Sequence, residues 1–256
     1  MDEGRGTAEE QIRQLNADVK IPPRGLVHWL AERFDYRAFV IKDLDKPVPG
    51  DWWGWFFTLG TAAAGIFLVQ AITGVLLAMY YAATPEGAYE SVKYISEELK
   101  VWGFPIGHLI RGMHFWGSTA MIILVGLHML RVLFFGSYKK PREVTWLIGV
   151  LLLIFTAGFA FTGYLLPWDQ KAYWATQVGT NILGTLPVIG QPLKVIIRGG
   201  QEMSAMTLTR FYAIHVLILP ALTTLFILAH LALVRMQGIS GTWRGKDPVD
   251  AAKGEA

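Results

Sequence analysis

The sequence predicts an all-α integral membrane protein, a bundle of four spanning helices. Three observations carry that prediction. First, only 17% of the 256 residues are charged and 53% are hydrophobic, with a mean hydropathy of +0.37; soluble domains carry about 25% charge. Second, four runs contain no Asp, Glu, Lys or Arg: residues 52–85, 112–130, 144–168 and 211–234. Each is near or above the ~20 residues that a spanning helix needs. Third, four histidines sit inside two of these runs as the pairs His114/His128 and His215/His230.

The elements follow in order. Residues 1–12 are polar and expected to be disordered. Residues 24–38 mix Leu26, Trp29, Leu30, Phe34 and Tyr36 with charges, the pattern of a short amphipathic helix on the membrane surface. Pro47 and Pro49-Gly50 break the chain, and Trp52, Trp53 and Trp55 suit the interfacial belt. The first span is expected at Trp55–Tyr81, because its run is too long for one crossing and must end in an interfacial loop. The segment 88–100 is expected as a surface helix, and the second span at His108–Phe135. A basic turn, Gly136–Arg142, leads into a third span at Val144–Leu166, which stops at Pro167. Residues 167–209 are expected as a long but ordered loop, and Arg210–Met236 as the fourth span. The organisation is a segment 1–50, a membrane domain 51–237 and a polar tail 238–256.

Four spans place the N-terminus, the 136–142 turn and the C-terminus on one side. That side holds sixteen of the 23 Lys and Arg residues, so it is expected to be cytoplasmic. The basic balance therefore reflects topology and does not point to nucleic acid. No cleavable signal peptide is expected, since the first 50 residues are polar. With no cysteine, disulfides, thiolate metal sites and thioether-linked haem are excluded.

The histidine spacings are 14 and 15 residues. On an α-helix each pair lies roughly on one face, with members about 21–23 Å apart, much of the ~30 Å hydrocarbon thickness. Each helix thus offers one imidazole near each membrane surface, and imidazole is an axial ligand for haem iron. The second and fourth spans run parallel, so depth pairs His114 with His215 and His128 with His230. The other two spans carry glycines 14 apart: Gly60 and Gly74, Gly149 and Gly163. A glycine lets a flat ring lie against the backbone. Any one histidine or glycine here could serve packing or proton relay. Their conjunction at two shared depths points to a four-helix bundle binding two stacked b-type haems. Arg111 and Arg131 flank the second span's histidines, placed either for haem propionates or as snorkelling helix-end arginines. His28 reads as a surface residue, and His108 is open.

The segments LVQAITGVLLAMYY (68–81), HMLRVLFFGSYKKPREVTW (128–146), FTGYLLPWDQKAYWA (161–175), TLTRFYAIHVLILP (207–220) and HLALVRMQGISG (230–241) strongly resemble cytochrome b of quinol:cytochrome c oxidoreductases. The likeness covers about residues 25–241 and is to the short, split form, the cytochrome b6 type, whose fourth-span histidines are 15 apart. The resemblance implies that His114 and His215 hold a low-potential haem on the positive side, and His128 and His230 a high-potential haem on the cytoplasmic side. Gly60, Gly74, Gly149 and Gly163 would pack the haems. Phe161, Tyr164, Trp174 and Ala175 would line a quinol-oxidation site, and Arg235 would lie near a quinone-reduction site. It further implies a Q-cycle: quinol oxidised near the positive face, one electron passed to a Rieske iron–sulfur protein, the other crossing to a quinone near the cytoplasm, with proton translocation. The expected setting is the cell inner membrane, multi-pass, with both termini cytoplasmic. The expected partners are a C-terminal-half cytochrome b subunit, the Rieske protein, a c-type cytochrome, quinone and membrane lipid, in a homodimeric complex that is an oxidoreductase only when assembled.

Three positions depart from that pattern. Thr58 stands where some split-type members carry a cysteine for a further haem; a thioether-bound third haem is excluded, a non-covalent one is not. Phe115 stands where relatives often carry a basic residue, and Met236 where close relatives carry lysine; the latter lowers the charge near the cytoplasmic quinone site. The competing class is a dihaem membrane anchor passing electrons between quinone and a peripheral enzyme. A four-helix transporter component, the non-redox alternative, would hold no haem.

Overall fold

In the computed structural model, residues 52–238 are described. The expected amphipathic helix 24–38, the polar start 1–12, His28 and nearly all of the tail 238–256 lie outside the described residues. The described part is helical: α1 Leu59–Ala78, α2 Ala88–Glu97, α3 Ile106–Phe134, α4 Glu143–Leu165, α5 Gln170–Gly184, α6 Gly190–Arg198, α7 Ala205–Ala213 and α8 Leu219–Gln237. A π-helical turn, Ile214–Ile218, joins α7 to α8, so that Ala205–Gln237 forms one span. Four helices are long and apolar enough to cross a membrane: α1, α3, α4 and the composite α7–α8. The chain is an integral membrane protein of the expected all-α class.

Two expectations need correction. The first span begins at Leu59, not Trp55, because Trp52–Phe57 forms a 3-10 turn. The Thr58 hydroxyl donates to the Trp55 carbonyl at 2.7 Å, and the Thr58 N–H reaches the same carbonyl. Such local side-chain bonding draws that carbonyl away from an α-helical ladder. The second correction is larger: residues 167–209 contain two helices, α5 and α6, and the start of a third. Their breakers are local. Asp169 caps α5 by accepting from the Ala172 N–H at 2.7 Å. Gly199, at φ 83°, terminates α6 in the left-handed conformation that glycine adopts without strain. Ser204 and Thr207 form a reciprocal capping box that starts α7, five residues before the expected start of the fourth span. The segment 88–100 is helical over Ala88–Glu97, in line with the expectation.

The end of the bundle carrying α2, α5 and α6 is called distal below, and the end carrying residues 136–142 and Gly238 proximal. The packed apolar core is distal, built from Ala88, Leu165, Met203, Leu208 and Phe211, with Tyr81, Trp168, Tyr173 and Ile197 against it. Tyr81 ties α1 to α4 there, its hydroxyl donating to the Leu166 carbonyl at 2.6 Å. At the proximal end Thr145 donates to Gln237 at 2.8 Å, joining α4 to the end of α8. Along the spans, large apolar side chains such as Leu68, Val75, Ile123, Leu147 and Leu225 face outward, as lipid contact requires.

Candidate functional site

The spans place histidines and glycines at two depths. His114 of α3 stands opposite His215 of the π-turn, with ring centroids 6.3 Å apart and planes at 72°. Nearer the proximal end, His128 of α3 stands opposite His230 of α8, at 6.5 Å and 77°. Each ring is backed by a glycine. A Cβ built on Gly74 would lie 3.2 Å from His114 Cε1, and one on Gly60 3.1 Å from His128 Cε1. On α4 the corresponding distances are 2.6 Å from Gly163 to His215 and 3.5 Å from Gly149 to His230. The glycines therefore let imidazoles approach the backbones of α1 and α4.

At the distal level two threonines orient the imidazoles. Thr73 donates its hydroxyl hydrogen to the Val69 carbonyl at 2.6 Å, and its oxygen lies 3.0 Å from His114 Nδ1. Thr162 donates to the Gly158 carbonyl at 2.8 Å and lies 3.0 Å from His215 Nδ1. With its own hydrogen committed, each hydroxyl accepts from Nδ1–H. That assigns the tautomer whose Nε2 carries the free lone pair. At the proximal level Nδ1 of His128 and of His230 is buried without such a bond; His230 faces the Thr145 backbone instead. Between the levels lies an aromatic layer: Phe67 meets Phe159 at 6.5 Å, and Phe155 meets Phe226 at 5.4 Å.

These residues fit haem. Two imidazoles binding one metal ion from opposite sides, at about 2 Å per bond, stand with ring centres roughly 6 Å apart. Among the described residues no three His, Asp or Glu side chains converge as a bare-ion site would require. Two protein ligands per level suit an iron whose remaining ligands come from a porphyrin.

The other expected residues occupy both ends. Arg111 is half-buried one turn before His114. Arg131 is buried one turn after His128, its guanidinium 3.9 Å from the Phe57 ring centroid and 5.4 Å from that of Phe135. Distally, Phe161 packs on Phe211 with centroids 5.6 Å apart, and α5 approaches so closely at Gly179 that an added Cβ would lie 2.7 Å from the Phe161 ring. Tyr164 and Trp174 are exposed beside it, as is Ala175, and Trp174, Val178 and Ile182 form an exposed apolar stripe along α5. Arg235 is half-buried on α8 at the proximal end, apart from those four.

Sequence reasoning missed Thr73 and Thr162, whose one signal is that each precedes a spaced glycine. It also missed Arg198, which is 1% exposed. Its guanidinium donates to Thr180 Oγ1 (2.7 Å), the Gln177 carbonyl (2.8 Å), Asn181 Oδ1 (3.0 Å) and the Gln201 carbonyl (3.0 Å), fastening α6 to α5.

The family signature described as Cytochrome b/b6/petB matches residues 44–238. The chain belongs to the cytochrome b/b6 family. It is 46% identical over 213 residues to a protein named cytochrome b6 from Heliomicrobium gestii, covering 83% of this chain and 98% of that relative. It is also 46% identical over 215 residues to cytochrome b6 of Heliobacterium modesticaldum, covering 84% and 99%. Among solved structures it is similar to a chain of a hyperthermophilic respiratory Complex III, with a TM-score of 0.74 and 30% identity. That likeness covers 88% of this chain and 60% of the other, so the chain spans less than two thirds of that structural relative.

Proposed function

We propose that the chain is the dihaem cytochrome b subunit of a bc-type quinol oxidoreductase, placed in the cell inner membrane with its proximal end cytoplasmic. The observation that carries this reading is the pair of opposed-histidine levels, each backed by glycine on α1 and α4. His114 and His215 hold a b-type haem at the distal level; His128 and His230 hold the second. Haem supplies reversible one-electron chemistry at each level.

The chain's own residues position and shield. Thr73 and Thr162 hold their imidazoles with Nε2 free. The Phe67, Phe159, Phe155 and Phe226 layer keeps water from the space between the levels. Arg111 and Arg131 offer cationic partners for propionates at the two ends. Phe161, Tyr164, Trp174 and Ala175 form one wall of a distal quinol site, and an exposed apolar wall of this kind suits a quinol ring. Arg235 faces the proximal quinone site. Quinol oxidised distally supplies electrons for quinone reduction proximally, with proton release on one side and uptake on the other. The cytochrome b6 relatives are matched almost end to end, whereas the Complex III chain is longer. In this reading a separate C-terminal-half subunit completes the quinol site, with a Rieske protein and a c-type cytochrome as further partners and a homodimeric assembly.

Reduced-minus-oxidised spectra with potentiometric titration test the reading. Two b-type components are expected. His114→Ala and His215→Ala should remove one of them, and His128→Ala and His230→Ala the other. A protein with no Soret band overturns it, as does joint loss of one component in the His114 and His230 variants.

A further inference from the structure

The residues that mark the two levels are not evenly spaced. Gly60–Gly74, His114–His128 and Gly149–Gly163 are 14 residues apart, but His215–His230 is 15. In a regular α-helix one extra residue adds about 100° of rotation and ~1.5 Å of rise. His230 would then sit about 100° around the helix from where a 14-residue interval puts it. Yet the two levels close alike, with ring separations of 6.3 and 6.5 Å.

The fourth span holds the reason. Ile214–Ile218 is a π-turn, and the Leu219 N–H donates to the Ile214 carbonyl five residues back. A single π-turn accommodates one residue more than the α-helix it interrupts. Pro220, just beyond it, has no N–H to offer the Val216 carbonyl, which favours opening the ladder here rather than elsewhere in the span. His215 itself lies in the turn.

We infer that this π-turn is a register device: it absorbs the fifteenth residue, so that His215 and His230 meet the levels set by the three 14-residue spans. The inference rests on the two-haem reading proposed above.

The experiment deletes single residues from the full chain in its native complex, read by haem-to-protein ratio and redox difference spectrum. Leu217 is 67% exposed and lies in the turn; Ile123 is 56% exposed and lies in α3, which is α-helical throughout. Deleting Leu217 should close the turn to regular α-helix and keep both b-type components. Deleting Ile123 should cost the proximal component, because His128 rotates by about 100° with no π-turn to compensate. Loss of a component on deleting Leu217, or retention of both on deleting Ile123, overturns the inference. Should the Leu217 deletion fail to accumulate, the same deletion combined with Pro220→Ala decides by the same criterion, and its failure to accumulate overturns the inference too. An unaltered protein lacking two components would instead refute the two-haem reading.

Discussion

Substituting alanine for each level-marking glycine should produce graded rather than uniform damage, with Gly163→Ala the worst. An alanine Cβ at 163 would lie 2.6 Å from His215 Cε1, 3.2 Å from Nδ1 and 3.3 Å from Nε2. Carbon pairs are comfortable at about 3.5–4.0 Å, so the ring must move by roughly an ångström. It cannot do so freely, because Thr162 of the same helix holds Nδ1 at 3.0 Å and moving the ring away from α4 breaks that bond. At Gly149 the same Cβ meets His230 Cε1 at 3.5 Å, an ordinary contact. Helix propensity favours alanine over glycine by about 0.5–1 kcal/mol in an interior position, while overpacking costs about 1–3 kcal/mol. Gly149→Ala should therefore be neutral or slightly stabilising, and Gly163→Ala should lose about 1–2 kcal/mol. Gly60 and Gly74, at 3.1 and 3.2 Å, should fall between. Thermal loss of the Soret band in purified protein measures stability, at about 2–4 °C per kcal/mol for a chain of this size. Redox difference spectra show which level is affected, and Gly163→Ala should perturb the distal component. Equal Tm values for the 149 and 163 variants would refute the reasoning.

Three further outcomes are expected. Thr73→Val or Thr162→Val removes an acceptor from Nδ1–H, makes the ligand less basic and raises the potential of the distal component alone, by up to about tenfold in the reduced-to-oxidised ratio, or roughly 59 mV for one electron; serine should restore it, and an unchanged titration would disprove the role. Arg198→Met leaves the buried Thr180 hydroxyl oxygen without its donor, at about 1–3 kcal/mol, and removes two part-buried bonds to α5, so limited proteolysis should cut residues 170–204 faster while both redox components keep their potentials; lysine should not rescue, since it lacks the planar fork. Burial, with Tyr212 beside it, pushes the Tyr81 hydroxyl well above the usual tyrosine range, so its bond to Leu166, worth ~1 kcal/mol, persists in the folded protein, while its contribution to stability is full at neutral pH and lost as the pH rises above about 10, where the unfolded chain's tyrosine ionises; the stability gap to Tyr81→Phe should shrink there in alkaline unfolding curves.

The spans were legible because charge is so costly in hydrocarbon that its absence over some twenty residues admits few readings. The two depths were legible because His and Gly are distinctive at fixed spacing, and the structure brings together the histidines and glycines that the spacing paired by depth. The segment 167–209 was not legible as helices. Its Pro187, Gly190 and Gly199 read as loop composition, whereas they punctuate α5, α6 and α7. Thr73, Thr162 and Arg198 escaped for another reason. Each is an unremarkable residue type in sequence, and its meaning lies in a partner 18 to 53 positions away. The 15-residue interval was visible, but the π-turn that reconciles it with 14 is a property of hydrogen bonding, not of periodicity.

The bundle is held differently at different depths. At the distal end Leu165, Leu208 and Phe211 are fully buried, and stability there follows the hydrophobic arithmetic of a soluble core. Within the spans, lipid is as apolar as leucine, so burying leucine between helices gains little. Helices there associate through close approach at glycine and through bonds such as those of Thr73 and Thr162. The two regimes respond oppositely to substitution. Shrinking Phe211 opens a cavity in packed structure, whereas shrinking outward-facing Leu225 exchanges one apolar contact for lipid. Enlarging Gly163 displaces an imidazole, and with it the one feature of the spans that composition alone could not have produced: two imidazoles from distant parts of the chain, held opposite each other at a fixed depth.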